Sequence, residues 1–312
     1  MHGTPPILIL VGLGLFAIGT IVGSFVNVCV YRLPWQKSVV WPGSHCPMCY
    51  RAIAPRDNIP IVGWLALGGA CRECGGRIAA RYPMVEALVG ILFTAVFVVD
   101  VALGPRNLSG EIPPALLLSW FSHAFLIALL VTATFVDYDL TIIPDAITVT
   151  GMVVGIGLGA WFPEIRADPS RAATHAGGFW VGMTGLLVGG LLTQLVRLAG
   201  TLALRREAMG FGDVTLMAMI GAFLGWQAAV LTFFLAPFFA IAHLALKVLA
   251  FIGKRLSGQK ITGADREIPF GPYLSMAAVA LVLSWRWIWP GWARSYFVVS
   301  RMVFWWIMGF EP

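Results

Sequence analysis

Apolar runs near 20 residues recur along almost the whole chain, and they constrain it more than any other feature. A stretch of about 20 apolar residues is what an α-helix needs to cross the roughly 30 Å hydrocarbon core of a bilayer. Such runs lie near residues 7–30, 83–104, 114–136, 146–162, 178–198, 214–225, 228–252 and 270–289. The run at 214–225 is short, so it either spans with help from its flanks or re-enters. The 312 residues are 59% hydrophobic and only 12% charged, whereas an ordinary soluble domain carries about a quarter charged residues. The pattern predicts an all-α polytopic membrane protein with about eight transmembrane helices. Disorder is excluded by the same figures. The first run lacks the basic start of a cleaved signal peptide and is too long for its apolar core, so it reads as a retained first helix.

One polar segment interrupts this pattern, between the first and second apolar runs. From Arg32 to Tyr82 it holds seven basic residues against two acidic ones, Asp57 and Glu73. By the positive-inside rule this loop is cytoplasmic, which puts the N-terminus outside. Alternation then places residues 137–145 and 197–213 on the cytoplasmic face as well, and Arg197, Arg205 and Arg206 agree. The net charge of +6 sits mainly in membrane-flanking loops and does not call for nucleic acid. Four domains are expected: a first transmembrane helix (1–30), a cytoplasmic loop domain (31–82), a membrane domain (83–290) and a C-terminal interfacial amphipathic segment (291–312). The last is too short and too charged to span, and its aromatic residues suit the headgroup region of the membrane lipids.

The loop contains "CPMC" and "CREC", that is Cys46, Cys49, Cys71 and Cys74. Two CxxC pairs about 20 residues apart form a tetrathiolate zinc pattern. Four thiolates leave no position open for water, so such a site is structural, and it supplies folding free energy to a small domain without much core. Two disulfides or free thiols are the alternative, and cytoplasmic placement disfavours the disulfides.

Carboxylates stand where these helices end. "FVDYDLTIIPD" carries Asp137, Asp139 and Asp145, and "MGFGDVTLMA" carries Asp213 beside Gly210 and Gly212. Asp145 reads as the N-cap of the following helix, Asp139 as a group facing water, and Asp213 as the cap of its own helix. The glycines fit a positive-φ turn before that cap, or the close approach of a substrate backbone. Topology brings Asp137 and Asp213 to one membrane face. Two carboxylates that meet in a desolvated site share one proton, so one can activate water while the other polarises a peptide carbonyl. A relay of aspartates in a transporter is the rival reading, but it favours carboxylates near mid-membrane and internal repeats.

These motifs resemble the type IV prepilin peptidases. "GFGD" at 210–213 is similar to the GxGD signature of membrane aspartyl proteases. "DYDLTIIPD" at 137–145, "GSFVNVCVYRLP" at 23–34, the paired CxxC knuckles, "RYPMVEAL" at 81–88 and "IPFGPYLSMA" at 268–277 match the family in order. The resemblance implies a bifunctional inner-membrane enzyme. It would cleave the leader of prepilins or pseudopilins on the cytoplasmic side, then N-methylate the new terminus from S-adenosylmethionine. Asp137 and Asp213 are the implied catalytic pair, Asp139 and Asp145 supporting groups, and the four cysteines the zinc ligands. A peptidase without methyltransferase activity is the alternative, since no dinucleotide-type glycine fingerprint follows a strand. Glu86, near a helix start, could orient an amine or the methyl donor, or merely suit the helix N-terminus. "GLGLFAIG" at 12–19 lies within a membrane helix and reads as a close-packing surface. His123 and His243 read as hydrogen-bonded packing residues.

Overall fold

In a computed structural model, residues 6–104, 111–165, 174–207, 209–256 and 269–288 are described, together with Val298, Val299 and Met302. The elements in order are α1 (Pro6–Arg32), α2 (Val62–Ala66), α3 (Arg81–Phe97), α4 (Pro114–Leu140), α5 (Asp145–Trp161), α6 (His175–Leu204), α7 (Phe211–Leu224), α8 (Trp226–Leu256) and α9 (Gly271–Ile288). Each of the eight apolar runs is a helix, and no named strand occurs among the described residues. Most of the expected C-terminal segment lies outside those residues.

The count of spans needs refining. Among the described residues, five helices are long and apolar enough to cross a membrane: α1, α3 with its continuation to Ala102, α4, α6 and the apolar part of α8. The helices α5 and α7 are apolar but shorter, with 17 and 14 residues. At 1.5 Å per residue α7 is about 21 Å long, well short of the hydrocarbon core. It compensates by being enclosed. Leu216, Met217, Met219, Ile220 and Ala222 are fully buried, and α5, α6, α8 and α9 surround it. Lipid therefore meets the outer helices, and the large apolar side chains exposed on α1, α6 and α8 face it.

Small residues let these helices approach. A methyl group at Gly19 of α1 would stand 2.7 Å from Cα of Gly90 on α3, and one at Gly23 would stand 2.7 Å from Cα of Glu86. Without a hydrophobic drive between helices in lipid, such close backbone contact is what holds them together. The packing surface thus begins at the end of the "GLGLFAIG" run and extends past it. Within the run Gly12 only brushes Thr94, and Gly14 faces open space.

The loop between α1 and α3 is built differently. It has only one short helix, two three-residue 3-10 turns and two isolated bridges, His45 with Ala52 and Ala70 with Arg77. Its contacts are polar. Arg72 forks onto Asp57 at 2.6 and 2.8 Å, and Arg51 pairs with Glu73.

Candidate active site and metal centre

The two CxxC segments fold as copies of one knuckle. In the first, Cys46 N–H donates to the Arg51 carbonyl at 2.9 Å and Tyr50 N–H to the Cys46 carbonyl at 2.9 Å. In the second, Cys71 donates to Gly76 at 2.8 Å and Gly75 to Cys71 at 2.9 Å. The residue four beyond each first cysteine has positive φ, +58° at Tyr50 and +71° at Gly75, and this folds the chain back under the sulfurs. The four Sγ atoms all lie within 4.8 Å of one another, and those of Cys46 and Cys74 are 3.8 Å apart. A tetrahedral zinc with bonds near 2.3 Å requires sulfur separations of about 3.8 Å. The donor set and its spacing therefore fit zinc. Backbone N–H groups of Cys49 and Met48 aimed at Cys46 lower its thiol to about 6, so it is ready as a thiolate ligand at neutral pH.

Glu86 joins this loop to the bundle. It is a buried carboxylate on α3 that accepts Ile61 N–H at 2.7 Å and a hydrogen bond from Ser24 of α1. Ile61 has φ +62° and ψ −54°, a γ-turn closed by Val62 N–H on the Pro60 carbonyl at 2.6 Å. A β-branched residue adopts this conformation only where its surroundings impose it. The known partners of Glu86 are thus a loop amide and a helix hydroxyl.

The aspartates meet at the same end of the bundle. Asp137 sits in the last turn of α4 and Asp213 in the first turn of α7, both buried and within electrostatic reach of each other. Asp213 does not cap α7 itself. Gly210 is the N-cap, and the Asp213 carboxylate reaches back from the third helical position to accept the Gly210 N–H. This is the reciprocal half of a capping box. Asp145 is likewise not an N-cap. Pro144 holds that position with ψ +134°, because a proline ring presets the extended entry to α5, and Asp145 lies exposed in the first turn.

Neither Gly210 nor Gly212 needs positive φ, and only Gly212 serves a close approach. Gly210 is extended, at φ −68° and ψ +151°. A methyl at Gly212 would stand 3.0 Å from Cβ of Ile143, the buried residue of the α4–α5 turn. One at Gly210 would meet nothing nearer than Asp213 Oδ2 at 3.8 Å.

Sequence reasoning missed a third element here, the start of α9. Gly271 donates its backbone N–H to Asp137. A methyl at Gly271 would stand 2.5 Å from Asp137 Oδ2 and 3.0 Å from Cδ1 of Ile143. Oδ2 of Asp137 is buried, with no donor among the described residues. Two residues on, Tyr273 hydroxyl meets Nδ1 of His243 on α8 at 2.6 Å, which anchors the α9 turn. The motif "IPFGPYLSMA" at 268–277 contains Gly271, but nothing in it points to an amide donor for Asp137. Asp139 turns away from this site. It pairs with Arg81 of α3 at 2.7 Å, and the Arg81 guanidinium also lies 4.8 Å over the Phe135 ring. That contact fastens the end of α4 to the helix that leaves the cysteine loop.

Two buried carboxylates, each steadied by a glycine amide, are thus brought together by three helix ends of an apolar bundle. The chain belongs to the type IV leader peptidase family. The model of that family matches residues 124–245, and the model of the bacterial peptidase A24 N-terminal domain matches residues 17–99. A prepilin leader peptidase/N-methyltransferase of Myxococcus xanthus is 35% identical over 287 residues, covering 91% of this chain and 75% of the relative. One of Aeromonas hydrophila is 31% identical, covering 84% and 87%. A type 4 prepilin-like proteins leader peptide-processing enzyme of Escherichia coli is 31% identical, covering 85% and 90%. No solved structure matches the chain.

Proposed function

We propose that this multi-pass protein cleaves the leader of prepilins or pseudopilins at the cytoplasmic face of the inner membrane and then N-methylates the new terminus. Its relatives' names supply the substrate class. The observation that carries the chemistry is the convergence of Asp137 and Asp213, buried, under Gly271 and Gly210 amides.

Asp137 and Asp213 are the catalytic pair in this reading. They share one proton. The ionised carboxylate takes a proton from water as that water attacks the scissile carbonyl, and the protonated one donates a hydrogen bond to the developing oxyanion. Collapse of the tetrahedral intermediate breaks the C–N bond and passes a proton to the leaving amine. Burial raises the strength of each hydrogen bond by excluding water. Asp139 supports the pair indirectly through Arg81, and Asp145 contributes an exposed acidic group beside it.

The cysteine tetrad would hold a structural zinc, which supplies no reaction step. The loop 31–82 is then a separate cytoplasmic domain beside the membrane domain 83–290, and the N-terminus lies outside. The Arg81–Asp139 pair ties the helix that leaves the loop to the end of α4, which supports a common membrane face. S-adenosylmethionine is the methyl donor by kinship. Among the described residues no strand precedes a glycine turn that could cradle it, so none is assigned to it.

Mass spectrometry of a processed prepilin N-terminus, with and without S-adenosylmethionine, tests the reading. Cleavage in both and a 14 Da gain only with the donor is expected. An uncut substrate contradicts the peptidase assignment, and a cut substrate that never gains the methyl group contradicts the second activity.

A further inference from the structure

At the other end of the bundle lies a cavity that the peptidase reading does not use. It has a volume of about 240 Å³ and is formed by the turn after α3, by α4, by the Pro163–Ile165 turn after α5, by the α7–α8 junction and by the end of α9. His123 lies 14 residues before Asp137, so the cavity is about 21 Å from the aspartates along α4. Phe223 gives about 15 Å along α7 by the same measure.

The lining is not that of an ordinary packing defect. Asp100 stands on a π-helical turn, Val98–Ala102, which widens the helix and turns this carboxylate toward α4. There its Oδ2 meets His123 Nδ1 at 2.7 Å, with both side chains largely buried. One turn before His123, Ser119 lines the same wall. The rim carries two more charges, Glu164 and Arg286, both exposed and neither ion-paired among the described residues. The remaining wall is apolar, with Phe223, Leu281 and Trp285. Trp285 and Trp287 flank Arg286, the arrangement of a helix end at the level of lipid headgroups.

The lining holds a guanidinium, a hydroxyl and an imidazole together with the Glu164 carboxylate, a set that fits a ligand carrying a phosphate and an ammonium together. The apolar wall, and its position at a helix-bundle end with lipid-exposed flanks, fit acyl chains continuing from that headgroup. We propose that this cavity is a binding site for an aminophospholipid of the phosphatidylethanolamine class. Arg286 and Ser119 take the phosphate, and Glu164 takes the ammonium. The Asp100–His123 pair fixes the cavity wall. A bound lipid would wedge α4, α7 and α9 together at this end, and those helices supply the aspartate site at the other.

The test uses the full-length protein in detergent, titrated with short-chain phosphatidylethanolamine, short-chain phosphatidylglycerol and free phosphoethanolamine, with tryptophan fluorescence and equilibrium dialysis as readouts. Saturable binding of phosphatidylethanolamine is expected, about tenfold tighter than phosphatidylglycerol, a ratio that corresponds to about 1.4 kcal/mol. Arg286→Ala weakens it at least as much, and Glu164→Gln erases the preference over phosphatidylglycerol. Leader cleavage by both variants shows that they are folded. Equal affinity for the free headgroup would move the site from membrane lipid to a soluble phosphoester and overturn the assignment. So would equal binding of both lipids by the wild-type protein, or unchanged binding after Arg286→Ala.

Discussion

The cysteine loop and the aspartate site lie at one end of one molecule, yet they are held together by opposite means. The loop has almost no buried apolar side chains. Cys46 is buried there, and around it are knuckle hydrogen bonds and exposed ion pairs. The aspartate site is enclosed by fully buried residues such as Leu216, Ile220 and Leu274, and its polar groups are steadied by backbone amides. A metal on the cysteine tetrad would replace a hydrophobic core where only structure is needed. Placing two carboxylates against each other needs a rigid, water-poor frame, which only the packed bundle provides.

The comparison is broken most severely at the aspartates. Asp137→Ala and Asp213→Ala should each lower leader cleavage by about 10²–10⁴-fold, the range for loss of a general acid or base. Helical content by circular dichroism should not change. Asp139→Ala should be milder, because its partner is Arg81.

Next in size is loss of the metal. Cys71→Ser should reduce zinc, measured by elemental analysis, from about one ion per chain to none. The loop should become sensitive to trypsin while the bundle keeps its melting temperature. The Cys46 thiol is held at about 6, below its ordinary range. Its contribution is therefore complete above the unfolded thiol's range and is lost as pH falls through about 6. A zinc indicator should report release on acidification, not on alkalinisation.

The glycines grade the site's tolerance. Gly271→Ala drives a methyl into Asp137 Oδ2 and should cost roughly 10²-fold in cleavage rate, as a misplacement near 1 Å does. Gly212→Ala presses on Ile143, which can yield by a few tenths of an ångström, so the loss should be smaller. Gly210→Ala meets only ordinary contact and should be nearly silent. Smallest of all is Asp57→Asn. Its pairing with the half-exposed Arg72 holds the Asp57 carboxyl below its usual range, so that stabilisation exists above the usual range and is lost as pH falls through the lowered value. Zinc content at neutral pH should be unchanged.

Much of this architecture was legible because two of its signals are short-range. Helix existence follows from run length in lipid, and the knuckles follow from CxxC spacing. What was illegible depends on pairs distant in the chain. Gly271 meets Asp137 from another helix, 134 positions later, and no local pattern announces an amide donor. Asp100 lies inside the apolar run 83–104, and only the π turn aims it at His123. Asp145 and Asp213 both fit the cap preference of aspartate, but Pro144 and Gly210 set the extended backbone that a cap requires. The span count is not confirmed at eight, for a related reason. A short apolar run can be buried by neighbours instead of by lipid, and only the packing distinguishes α7 from a crossing helix.

The central claim is that the bundle alone carries the cleavage chemistry. The most direct test is the leader-cleavage rate of the Cys71→Ser protein, freed of zinc and assayed beside the wild type. The account predicts a rate of the same order of magnitude as the wild type. A loss as deep as that of Asp213→Ala would contradict it and place the metal loop inside the catalytic unit.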